Sequence, residues 1–251
     1  MSDFDLASPD LPAALARLAR DADPAEAPAM AAYHKAPRRY LGLPNPGIDA
    51  AVAEWRAALD VPGRVALAAG LWDSDIHEAR IAAAKLLTQA RLGADDPLVW
   101  AEFLRWAPMF DAWAISDHAC KVGERRLAAE PSRLDVVEPW VTDPNPWVRR
   151  AALVVTLPWA KTTHPTPADR AARERILGWA ETLVADRDWF TQKAIGTWLR
   201  SLSPRDPDRV IAFLDGPGRE LKAFARKEAM RRLTGRGSDA GDQPPSLRPP
   251  R

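Results

Sequence analysis

The sequence predicts an all-α chain: a superhelical solenoid of HEAT-like helical pairs whose inner helices line a concave surface. Three observations predict it. Long runs of good helix formers, such as "HEARIAAAKLLTQARL", fill most of the 251 residues, and no alternating strand of five or more residues interrupts them. Many of the 24 prolines fall between helical stretches, where a missing N–H costs little. Four segments open on an acid or amide, at Asp75, Asp111, Asn145 and Asp188, at intervals of 36, 34 and 43 residues. Those intervals suit helical-pair repeats of the HEAT or armadillo kind. One pair cannot bury its apolar side alone, so it stacks on its neighbours and the stack curves. The repeat is degenerate, and an irregular helical bundle is the alternative.

The elements can be taken in order. Residues 1–30 carry six acids and two bases and begin "MSDFDLASPD", without an apolar core of signal-peptide length. Asp10 can cap a first helix, and Asp73, Asp95 and Asn145 later ones, with Pro97 and Pro146 near first-turn positions. In three of the four recurring segments a base follows five residues after the opening: Arg80, Arg150 and Lys193. Residues 219–236 carry seven bases against Glu220 and Glu228, which suits either a phosphate contact or a solvated helix face. The final "RGSDAGDQPPSLRPPR" has little apolar content and reads as a disordered tail. The expected organisation is one repeat domain over 1–235 and a tail over 236–251. A hydrophobic content of 47% suffices for a large core, and a net charge of +1 announces no partner by itself. Cys120 is the only cysteine, so no internal disulfide is possible, which suits a reducing cytosol. No window approaches the roughly 20 apolar residues of a spanning helix. The expectation is a cytoplasmic monomer with no membrane partner.

Within "FDAWAISDHACKVG", Trp113 and Asp117 stand four residues apart and share a helix face. On a wheel of residues 110–124, Asp111, Ile115, Ala119, Val122 and Arg126 cluster on one side, and Trp113, Asp117, Cys120 and Glu124 on the other. Two readings fit. Trp113 can pack on an adjoining repeat while Asp117 pairs with Lys121. Or the two form a cation-recognition pair, because an indole face and a carboxylate both attract positive charge.

Four segments, in this order, resemble the AlkD-type DNA alkylation repair glycosylases, which are built from HEAT-like repeats. They are "MAAYHKAPRRYLGLPNP", "FDAWAISDHACKVG", "NPWVRRAALVV" and "DWFTQKAIGTWLRSLSPRDPDRVIAFL", spanning roughly residues 30 to 233. The resemblance implies double-stranded DNA with alkylated, cationic purines as substrate and a nucleoid-associated enzyme. It implies that Asp117, beside Trp113, stabilises an oxocarbenium-like sugar and positions water. The leaving base is already cationic, so no strong general acid is needed. Arg150 is implied to hold a backbone phosphate; Tyr33 to reach the cleft; and Trp147, Lys193 and Arg200 to face DNA. Arg226, Lys227, Arg231 and Arg232 can extend the phosphate contact. The family is also implied to read damage without flipping the nucleotide into a protein pocket, unlike most glycosylases.

One departure stands out. The family follows Lys-Ala-Ile-Gly with a second cleft tryptophan, whereas this chain places Thr197 there and Trp198 one residue later. On the wheel Trp198 falls on the apolar side, and Phe190 projects toward Thr197. No cofactor is implied, and no metal: "WDSDIHE" reads as helix capping, and His34, His77, His118 and His164 show no paired zinc spacing. The competing class is a non-catalytic helical-repeat module that holds DNA or a protein in the same groove.

Overall fold

The computed structural model describes residues 10–233. The acidic opening before Asp10, the domain edge at 235 and the tail at 236–251 lie outside the described residues. The helices run α1 (Leu11–Arg20), α2 (Ala27–His34), α3 (Asn45–Ala58), α4 (Val61–Asp73), α5 (His77–Leu87), α6 (Asp96–Trp106), α7 (Trp113–Ala129), α8 (Leu134–Val137), α9 (Pro146–Val154), α10 (Leu157–Lys161), α11 (Pro167–Leu183), α12 (Trp189–Leu202), α13 (Pro207–Asp215) and α14 (Ala223–Met230). Short 3-10 turns join several of them. Among the described residues the only sheet-like feature is an isolated bridge between Arg39 and Ile76.

Local chemistry starts these helices. Proline occupies the first turn of α1, α2, α3, α4, α6, α9, α10, α11 and α13. Its fixed φ suits that position and its missing N–H is not needed there. Asp10 accepts from the Ala13 N–H at 2.8 Å, and Asn145 from the Trp147 N–H at 2.9 Å, as their positions predict. Asp188 does the same for Thr191 at 2.8 Å. Asp95 precedes α6 but makes no side-chain cap.

Asp73 is different: it closes α4 rather than opening α5. The turn between them is made by Asp75, at a left-handed φ of 52°. Its carboxylate lies 3.3 Å from Arg38 and 3.1 Å from Arg80. Arg38, almost fully buried, also pairs with Asp111. Two of the four recurring acids therefore share one buried arginine, which ties successive repeats together. Arg80 additionally donates to the Trp72 carbonyl at 3.0 Å and lies 5.1 Å over the Trp72 ring. The first of the three spaced bases is thus a structural tie.

The helices form two rows. One row packs in the order α3, α5, α7, α9, α12, α14; the other includes α1, α4, α6, α11 and α13, which lie behind it. The four recurring segments each lead into a helix of the first row, which explains their spacing. Between the rows lies one continuous apolar core, with Trp72 and Trp106 stacked at 4.4 Å. Trp198 is fully buried, as its wheel position predicts. Gly196 lets α12 and α14 approach closely, since a Cβ there would lie 2.6 Å from the Ala225 carbonyl oxygen. That approach brings Arg200 of α12 to Glu228 of α14, at 2.7 Å.

Candidate functional site

The first row carries a chain of hollows. The central one, about 260 Å³, lies between α7, α9, α10, α12 and α14, with Leu153, Leu157 and Ala194 among its apolar lining. Its charged lining is Lys121, Arg150, Lys193 and Arg200 against Asp117 and Glu228, an excess of bases. Thr197 also faces it.

Asp117 and Arg150 meet here. Asp117 is one turn into α7, and Arg150 reaches it from α9, with Nη1 2.6 Å from Oδ1. Arg150 is buried and Oδ1 is sealed against it, while the Asp117 side chain as a whole stays 36% exposed. The carboxylate is therefore pinned from beneath and still lines the cleft. Burial works against the Arg150 charge, but Asp117, then Cys120 and Asp188, outweigh it, so its pKa is raised. This revises the expectation for Arg150. Its guanidinium is committed to Asp117 and buried, so it positions the carboxylate before it can hold a phosphate. The alternative pairing of Asp117 with Lys121 does not form; Lys121 bonds Glu124 at 2.7 Å.

The other expected residues divide. Lys193 lines the cleft with its Nζ 4.9 Å over the Trp189 ring. Among the described residues it is the cleft base without a carboxylate within ion-pair distance, whereas Arg200 is spent on Glu228. Burial, then the nearby Arg150 charge, pull the Lys193 pKa down. Trp147 lies outside the cleft lining, half-buried, with its ring 4.8 Å from Phe190. Phe190 packs between Trp147 and Trp189, so it does not fill the space beside Thr197. Cys120 is fully buried and not on the open face that the wheel assigns it; burial pushes its thiol up to about 12. Of the C-terminal bases, Arg226 is taken up by the Leu214 and Gly218 carbonyls.

Trp113 opens α7 and faces a different hollow from Asp117. Its ring is 5.8 Å from Tyr33, edge to face, and 5.2 Å from His34. Tyr33 is 45% exposed. The histidines, dispersed in the sequence, converge here: His34, His77 and His118 line this hollow with Trp113. No group of three candidate metal ligands among the described residues is arranged to hold an ion. The wheel missed His118 and Lys121 because it treated one helix alone; the hollows are bounded by three or more.

Burial, then the neighbouring His34 and Arg38, push His77 down to about 3; burial, then Lys85, push His118 down to about 4. The folded pKa values lie below the ordinary 6.5, so the unfolded chain takes up protons first on acidification. Stability present above that value is lost as the pH falls from about 6.5 towards 4. The melting temperature should drop across that window, and the drop should be smaller in His77→Phe. A flat profile there would contradict the burial of neutral imidazoles.

A sequence model of the family described as DNA alkylation repair enzyme matches residues 14–233. A search of curated proteins finds no match. Among solved structures, one described as a predicted DNA alkylation repair enzyme from Enterococcus faecalis superposes with a TM-score of 0.68 at 21% identity, covering 86% of this chain and 98% of that one. AlkD2 from Streptococcus mutans superposes with a TM-score of 0.55 at 18% identity, covering 73% of this chain and 87% of that one. At those identities the superpositions establish the fold alone, a helical-repeat solenoid. No helix among the described residues is long and apolar enough to cross a membrane.

Proposed function

Because the chain belongs to the DNA alkylation repair enzyme family, we propose that it removes alkylated, cationic purines such as 3-methyladenine and 7-methylguanine from duplex DNA. It does so by hydrolysing the N-glycosidic bond. The observation that carries this reading is the Asp117 carboxylate, held at 2.6 Å by buried Arg150 in the wall of a cleft with excess positive charge.

The physical argument runs from charge. Breaking the bond to a cationic base leaves a neutral base and a developing positive charge on the sugar. A fixed carboxylate beside that sugar stabilises the charge without reorganising, because Arg150 has already set its orientation. The same carboxylate can accept a proton from an attacking water. Arg150 restrains Asp117 from below, so the phosphate contacts fall to Lys193 and, around it, Lys121 and Arg200. These bases attract the strand and fix its register.

The test is release of free methylated purine from methylated duplex DNA by the full chain. Release that depends on Asp117 supports the reading. DNA binding without release, equal for wild type and Asp117→Asn, supports a non-catalytic binding module instead. Lys193→Ala should weaken DNA association and lower the salt slope by about one phosphate contact. An unchanged slope would remove Lys193 from the phosphate path. Thr197→Trp in the same assay measures what the open wall beside Asp117 contributes to substrate range.

A further inference from the structure

The hollow at the Trp113 end differs in kind from the Asp117 cleft. It measures about 710 Å³ and is bounded by α2, α3, α5 and α7. That volume is in the range of small-molecule sites. Its formally charged lining is wholly acidic, Asp21, Asp23 and Glu26, with no lysine or arginine. A phosphate would be repelled from it.

A buried polar group in its wall lacks a partner. His77 is 0% exposed, with its ring 4.2 Å from His34 and 4.6 Å from Tyr40. Neither of its ring nitrogens has a hydrogen-bond partner among the described residues, and His34 Nδ1 is in the same position. Buried polar atoms left this way are uncommon in folded proteins and call for a specific explanation. A neutral imidazole offers one donor and one acceptor, which matches the edge of a nitrogen heterocycle. Trp113 and His34, 5.2 Å apart, offer flat faces to such a ring. His34 also stands in front of His77, so a ligand edge reaches His77 once the His34 ring turns aside.

We infer that this hollow binds a phosphate-free, positively charged purine, an N-alkylated base presented either as a nucleoside or extruded from a DNA strand. The Trp113 face and the acidic mouth select for the positive charge. The buried histidines select for a heterocycle edge over a simple ammonium. His118 lines both this hollow and the adjoining one that holds Arg56, Lys85 and Lys121, so bases able to attract phosphate begin where the acidic hollow ends. An extruded base can thus enter while its flanking phosphates stay outside. The binding requires neither Asp117 nor bond cleavage, so it stands or falls separately from the glycosylase reading.

The experiment is calorimetric titration of the full chain, without DNA, with 1-methyladenosine, adenosine and 1-methyladenosine 5′-monophosphate at neutral pH. Saturable binding of 1-methyladenosine is expected, about tenfold tighter than adenosine and about tenfold tighter than the monophosphate. His77→Phe should abolish it while the helical circular dichroism signal is retained. Should that variant fail to fold, Glu26→Gln, an exposed change, should still narrow both ratios. Competition by 1-methyladenosine against alkylated duplex would assign the site to the extruded base, and its absence to the free nucleoside. No saturable binding of 1-methyladenosine overturns the inference. So does equal affinity for all three compounds, or binding indifferent to both substitutions.

Discussion

Asp117→Asn is expected to slow release of 7-methylguanine from methylated duplex DNA by about 100- to 1,000-fold, the scale of losing one preorganised electrostatic contact to a transition state. The amide keeps the shape of the side chain and loses its charge. DNA affinity should change little, because the bases that meet phosphate remain. The substitution also leaves the buried Arg150 guanidinium with a weaker partner, since Nη1 sits 2.6 Å from the carboxylate it would lose. Breaking a buried pair from one side costs about 3–5 kcal/mol in stability. A melting curve must therefore accompany the rate, and the rate should be measured well below the variant's midpoint. A release rate equal to wild type in a folded variant would refute the role given to Asp117.

Gly42→Ala is expected to be among the most destabilising single-methyl additions in the chain. Gly42 has φ +85°, and a Cβ there would lie 1.9 Å from the Asp23 carbonyl oxygen. The neighbouring backbone cannot yield easily. The N–H groups of Leu41, Gly42 and Leu43 all donate to the Glu78 carboxylate, at 3.0, 2.9 and 3.3 Å. Glu78 is fully buried in the first turn of α5, where the helix end also favours a negative charge. A strained φ combined with a backbone clash costs on the order of 3 kcal/mol or more. For a chain of this size that is a fall in melting temperature of roughly 6–12 °C. The same loop packs beside the Trp113 hollow, so 1-methyladenosine binding should weaken with it. A shift of under about 1 °C would mean that the loop relaxes freely, contrary to its three bonds to one carboxylate.

Much of the fold is legible in the sequence because its signals are local. Helix formers, first-turn prolines and side-chain caps act within four residues of their own position. The recurring Asp and Asn residues mark where each helix of the first row begins, and that holds for α5, α7, α9 and α12. What they do is less legible. Asp75 and Asp111 were read as openings of helices, and they prove to be ion-pair ties to Arg38. Those ties cross up to 73 positions of chain, a separation that no local pattern encodes. Glu78 gives no sign in the sequence that it binds a loop 35 to 37 residues earlier.

For the site, one helix wheel placed Trp113 and Asp117 on the same face, and both emerge from α7 with partial exposure. It could not tell that they open into separate hollows, because the walls come from other helices. The chain by itself determined an all-helical stack, its period, and the residue types that favour cations and phosphates. Only the packing of successive repeats decided which charges are spent on one another. It paired Arg150 with Asp117 and Arg200 with Glu228, left Lys193 over Trp189, and gathered three dispersed histidines around one acidic hollow. Pairing is a matter of distance in space, and burial sets its strength; neither quantity exists until the helices are stacked.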